Sequence, residues 1–355
     1  MSGSEKQQLI DDLISRLPDL SDKNPSDLDI QLGIALLYDK YGMLEEPNNE
    51  TAREEEIFRK GTALYYHDQY LLYQKKISTQ YNRLFALDPS NRIGLAYRAY
   101  KVTRQYTASR QKELGNYDKM IAQRKKLKME EMKVASDCTL SYLLTEKDEG
   151  VRKGTGVRLQ RGFRKNTYPI IITDFDLARQ VLVKRFDAKV AVVLEILEKG
   201  EEADPDNALY NYLRAHFYFV LDEKDKAFRE VRKGVGKKYL NNYVKDRIEA
   251  RKQVARRVGF SNDVTKKFLG SHVFADFMWR DLCIPYIYKY AGEYKQQGKA
   301  EEAEEMYIML MGIANHIREE PVATESHRKF NSNVALKLEE KAVNAIKEIQ
   351  EASKE

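Results

Sequence analysis

The densest set of residues able to handle a charged ligand is "GVRKGTGVRLQRGFRKNTYPIIITDFD", residues 150–176. Arg152, Lys153, Arg158, Arg161, Arg164 and Lys165 come with no acid between them, and Gly150, Gly154, Gly156 and Gly162 would let backbone amides approach an anion. This is not a dinucleotide fingerprint, because the strand, turn and helix that such a glycine pattern needs around it are missing. The bland use of the same residues is a solvated linker, and the functional one is a site for an anionic protein, RNA or lipid headgroup.

A second basic stretch, residues 228–260, interleaves Tyr239 and Tyr243 with Lys and Arg. Rings beside cations suit stacking and phosphate neutralisation on single-stranded nucleic acid, and they suit helix packing equally well. Catalytic chemistry has little to work with. His67, His216, His272, His316 and His327 are isolated, with no pair at i, i+4 spacing for a metal and no Gly-x-Ser-x-Gly or phosphate-loop sequence. Cys138 and Cys283 have no neighbouring cysteine and read as buried thiols, and the acid clusters at 53–58 and 300–305 read as solvated helix faces. The expectation is no catalytic residue, no metal and no cofactor.

Charge is unevenly spread along the 355 residues. Lys and Arg number 7 against 14 Asp and Glu in residues 1–60, then 15 against 6 in 61–133 and 14 against 4 in 226–270, before the tail from 293 returns to 9 against 13. Acidic ends and a basic middle suggest head-to-middle self-association, since complementary patches steer encounters. The first twenty residues lack the apolar run of a signal peptide, and no later segment approaches a membrane span. As written the chain stays in the cytoplasm; a leader removed before this sequence begins would allow an envelope location.

The elements that must position these residues are helical. Leu9, Ile10, Leu13, Ile14 and Leu17 form a stripe at three- and four-residue spacing that Pro18 is expected to end. Val334, Leu338, Ala342, Ala345 and Ile349 form another, which predicts a capping helix over 334–352. Tyr65, Tyr66, Tyr70 and Tyr73 span more than one face of a further helix, as core fillers with at least one ring reaching the surface or a neighbouring segment. "LDPSN" (87–91) and "ADPDN" (203–207) each separate two apolar-periodic stretches, as Asp-Pro turns between helices do.

An internal repeat follows. From Ala215, Tyr218 lies three residues on, Ala227 twelve, then Val231 and Gly234; from Ala291, Tyr294, Ala303, Tyr307 and Leu310 fall at the same steps. Small residues at these steps let two antiparallel helices approach closely, with large ones filling either side. In "YAGEYKQQGKAEEAEEMYIML" (290–310), and less closely in 208–234, the pattern resembles tetratricopeptide repeats; 174–205 and the stretch ending at 81–91 are weaker copies. Arg214 stands where that family usually has an apolar residue, and Gly234 where it has Ala.

The resemblance implies an all-α fold of antiparallel hairpins stacked as a tetratricopeptide-like α-solenoid. It divides into an N-terminal helical half (1–149), a basic glycine-rich insertion (150–173) and a C-terminal half (174–355). It further implies a non-enzymatic scaffold or adaptor that binds a protein or peptide and helps assemble a larger complex. The groove formed by first helices would be lined by Asn211, Arg214, Tyr218, Tyr290 and Tyr294. The alternative is a nucleic-acid or anionic-surface binder using the basic middle.

Overall fold

A computed structural model describes residues 3–41, 63–127, 132–134, 158–159, 170–172, 175–265, 283–322 and 324–352. The described chain is predominantly helical. In order it forms α1 (Gly3–Lys23), α2 (Leu28–Tyr41), α3 (Ala63–Leu87), α4 (Arg92–Leu127), β1 (Met132–Val134), β2 (Arg158–Leu159), β3 (Ile170–Ile172) and α5 (Phe175–Ala203). There follow α6 (Leu209–Val220), α7 (Lys224–Val235), α8 (Val244–Arg257), α9 (Ile284–Gln296), α10 (Ala300–Glu319) and α11 (Glu325–Ala352).

Two compact units emerge, and they interleave along the chain where the sequence suggested consecutive parts. One comprises Met1–Glu45, Tyr73–Thr103 and Leu194–Glu355; the other comprises Glu46–Leu72 and Arg104–Val193. In the second unit the β-branched run at 170–172 becomes the centre of a small antiparallel sheet of order β1-β3-β2, with Lys133 opposite Ile171 on one side and Arg158 opposite Ile171 on the other. Three consecutive isoleucines favour this extended state, because β-branching restricts their side chains in a helix. Tyr106 of α4 meets Phe186 of α5 edge-on at 5.7 Å. Tyr65, Tyr66, Tyr70 and Tyr73 belong to α3, and their side chains lie outside the described residues, as does Cys138.

The first unit begins with α1 packed on α2. Ile10, Leu13 and Leu17 are buried as their spacing requires, but Pro18 does not end α1, which continues to Lys23. Proline removes one intrahelical hydrogen bond, and here its ring sits on the exposed side while Leu17 and Ser21 anchor the helix on the inner side. Helix α2 is covered almost all round, from Ile30 to Tyr38, and α8 lies against it so closely that a Cβ on Gly33 would come within 2.4 Å of Val254 Cγ2.

Among the described residues, one connector is used three times. Asn24-Pro25-Ser26-Asp27, Asp88-Pro89-Ser90-Asn91 and Asp204-Pro205-Asp206-Asn207 each close with the last residue's N–H donating to the first residue's carbonyl, at 3.3, 3.2 and 3.2 Å. In each, the last side chain then caps the next helix: Asp27 accepts from the N–H of Ile30, Asn91 from Gly94 and Asn207 from Leu209. The sequence reading found the second and third and missed the first, which places Asn where they have Asp.

The hairpins of the repeat form as expected. Helices α6 and α7 are joined by 221–223, and α9 and α10 by 297–299, so each second helix must run back along the first. Both turns end alike: the N–H of Glu223 reaches the carbonyl of Tyr218, and that of Lys299 the carbonyl of Tyr294, each at 2.9 Å, across a left-handed residue, Asp222 (φ 63°) or Gly298 (φ 73°). Ala215, Ala227, Ala291 and Ala303 are all fully buried.

The two hairpins contact each other. Phe219 stacks on Tyr286 at 5.0 Å, and Arg232 grips Glu305 through two hydrogen bonds of 2.7 and 3.1 Å. Helix α11 packs on α10 as a one-sided element: Leu338, Ala342 and Ile349 are buried, Val334 and Ala345 are half-buried, and the outer face is mostly charged and polar, with Leu336 exposed among them.

Candidate functional site

The five residues expected to line a groove do not share one environment. Asn211 is 0% exposed, Tyr290 5%, and the Arg214 side chain 11%, whereas Tyr218 and Tyr294 are half-buried. None of the residues of α6 is exposed. Most of α6 is covered: Asn211 is buried and Arg214 is paired inside the unit, while Tyr218 on the same helix stays half-buried. Tyr290 is a core ring, stacked on Phe219 at 5.7 Å and edge-on to Phe228 at 5.6 Å.

Arg214 tolerates burial because it is paired. Its Nη1 donates to Glu201 Oε2 at 2.7 Å and to Glu230 Oε2 at 2.9 Å, while Asn211 Nδ2 donates to Glu201 Oε1 at 3.1 Å and Glu230 Oε2 at 3.0 Å. Lys233 completes Glu230 at 2.7 Å, and Lys237 completes Glu201 at 3.1 Å. Burial alone would raise both carboxyls, but the cations and amide outweigh it, holding Glu201 down at about 2 and Glu230 below its ordinary value. The cluster joins the end of α5 to α6 and α7.

Asp204, 1% exposed, is the second polar centre. Its carboxylate accepts from the hydroxyls of Tyr239 and Tyr243, each at 2.5 Å, and from Asn207 Nδ2 at 2.9 Å, with Arg92 at 3.9 Å. Burial and this carboxylate push Tyr239 up to about 12 and Tyr243 higher still. Asn207 also donates to the Asn241 carbonyl at 2.8 Å and accepts from the Asn241 N–H at 3.0 Å, which fastens the loop after α7 to the start of α6. The two tyrosines noted as possible base-stackers therefore have their hydroxyls engaged inside the fold.

A third link runs through His316. Its Nε2 faces the carbonyl of Lys237 at 3.1 Å, and a carbonyl only accepts, so the proton sits on Nε2. Nδ1 then accepts from the Tyr212 hydroxyl at 2.8 Å. Burial lowers the His316 pKa and keeps this neutral form. The Tyr212 ring fills the place where a Cβ on residue 234 would stand, 2.5 Å from its Cε1. Both departures from the family pattern thus have physical causes: Arg214 answers two carboxylates, and Gly234 makes room for Tyr212.

The surface rings carry cations. Lys226 Nζ lies 5.5 Å from the Tyr218 centroid, Lys299 5.5 Å from Tyr294 and Lys341 5.9 Å from Tyr288. Much of the basic stretch at 228–260 has carboxylate partners: Arg232 with Glu305, Lys233 with Glu230, Lys237 with Glu201, Lys238 with Asp206, and Lys252 and Arg256 with Glu249. Arg247 and Arg251 are buried. Of the insertion's cations, Arg158 has its backbone in β2; its side chain and Arg152, Lys153, Arg161, Arg164 and Lys165 lie outside the described residues.

Among the described residues no group of His, Cys, Asp or Glu is placed to hold a metal, and no helix is long and apolar enough to cross a membrane. Glu201, Glu230 and Asp204 escaped the sequence reading as site residues. The one signal for Glu201 and Glu230 was Arg214 itself, a cation at an interior repeat position that has to be answered by acids nearby. Comparison with protein families, curated proteins and solved structures gave no match to this chain, so the likeness to tetratricopeptide repeats rests on the two hairpins alone.

Proposed function

We propose that the chain is a non-enzymatic scaffold that binds another protein, with its hairpins stacked in the manner of tetratricopeptide repeats. One observation carries the reading: among the described residues, the polar clusters of Glu201, Arg214 and Glu230, of Asp204, and of His316 are each engaged in tying helices and connecting loops together. Their chemistry is structural, which leaves the outward faces of α7, α9, α10 and α11, with the edge of α6 at Tyr218, for recognition. Of the residues first considered for a groove, Tyr218 and Tyr294 retain partial exposure, each beside a lysine, and they are the contacts to test.

The experiment is capture of a partner by the purified chain, repeated with a Lys226→Glu, Lys299→Glu double variant that melts like wild type. Loss of the retained protein supports the reading; a chain that retains no protein under either condition counts against it. A salt series separates the alternative, because phosphate binding weakens log-linearly with salt and a contact built on rings responds little. Retention of labelled RNA that falls steeply with salt would favour the nucleic-acid reading.

A further inference from the structure

The buried carboxyl of Glu320 takes no part in the clusters above. Glu320 ends α10, where the backbone turns extended (ψ 131°) and Pro321 prevents the helix from continuing. It is 4% exposed, and its Oε2 accepts from Asn331 Nδ2 of α11 at 3.2 Å. The backbone of Asn242, in the loop before α8, and the guanidinium of Arg247 of α8 lie near enough to favour its ionised form. One carboxyl therefore joins the α10–α11 elbow to α8 and its preceding loop. His316, one turn earlier on α10, and His327, one turn before Asn331 on α11, are both buried and shifted toward the neutral form; Glu319 beside it is exposed.

We propose that Glu320 is a proton-operated latch, whose protonated carboxyl keeps the α10–α11 elbow seated against α8 and whose ionisation loosens it. A carboxylate removed from water with one neutral side-chain donor and a guanidinium nearby is short of compensation, whereas a carboxylic acid fits the same place with its proton available as a donor. Burial is the dominant influence, and it carries the group up to about 7 despite Asn331, Asn242 and Arg247. Opening returns the side chain to water, where it ionises near the ordinary glutamate value. Opening therefore becomes easier as pH rises through neutrality, and the residue acts where the capping helix α11 joins the hairpin.

Hydrogen exchange of the intact chain tests this. After correction for intrinsic rates, protection of amides 317–320 and 327–331 should fall by about thirtyfold more than in Glu320→Gln, which keeps His316 and His327, between pH 5.5 and 8.5, while α6 amides change little. Glu320→Gln should flatten that dependence, and Asn331→Ala, which removes a donor to the carboxylate, should move it to higher pH. The carboxyl carbon-13 shift of Glu320, read in labelled wild-type protein, should titrate near pH 7 whether or not a variant folds. A midpoint at the ordinary glutamate value, or protection lost equally in α6, overturns the proposal.

Discussion

At the scale of single residues, two departures from a repeat pattern show how a local exception is stabilised. Arg214 occupies an interior position and is held by Glu201 and Glu230 at 2.7 and 2.9 Å. Arg214→Ala leaves two carboxylates short of a cation in partial burial and should cost about 3 kcal/mol in chemical denaturation. Gly234→Ala would place a methyl 2.5 Å from the buried Tyr212 ring and should cost about 1–3 kcal/mol. Tyr212→Leu should recover part of that loss in the double variant, because the two substitutions share one contact. An additive cycle would mean that the ring is not the cause.

At the scale of elements, the hairpin turns make a paired prediction. Asp222 and Gly298 hold the same left-handed position in equivalent turns, and only one of them is glycine. Gly298→Ala should destabilise by about 1 kcal/mol, and Asp222→Gly should be neutral or stabilising by up to about 1 kcal/mol. Equilibrium unfolding in urea reads both. The repeated Asx-Pro-x-Asx connector shows what local sequence can carry: proline stops one helix, and the last side chain starts the next. Pro18 shows the opposite case, since the same residue type inside α1 is overridden by the burial of Leu17 before it and Ser21 after it.

At the scale of the molecule, stability should depend on pH in two opposed limbs. Glu201 is held down at about 2 when folded and ionises near 4.5 when unfolded, so it contributes stability above pH 4.5 that is lost as pH falls toward 2, about 2 kcal/mol after allowance for partial exposure. Glu320 has the reverse sign: its folded pKa near 7 lies above the unfolded value, so stability rises as pH falls from above 7 toward 4.5. Buried His316 and His327, neutral when folded and free to protonate near 6.5 when unfolded, oppose Glu320 below that pH, so melting temperature should peak between about pH 5 and 7. Arg214→Ala should flatten the acid limb and Glu320→Gln the alkaline one. A melting curve that peaks above pH 8 would contradict the assignment of both groups.

The sequence by itself determined the helical class, the two hairpins and their alanine register, the connectors at 88–91 and 204–207, and the one-sided helix near the C-terminus. Each follows from spacing or from the backbone limits of Pro, Gly, Asp and Asn, which act over a few residues. Tertiary structure alone decided that most of α6 is covered, that Tyr239 and Tyr243 turn their hydroxyls to Asp204, and that Arg214 meets acids 13 residues before it and 16 after it. Periodicity marks which residues share a helix face; it says nothing of what covers that face. Burial and ion pairing arise where separate helices meet, and that is where the polar residues of this chain found their partners.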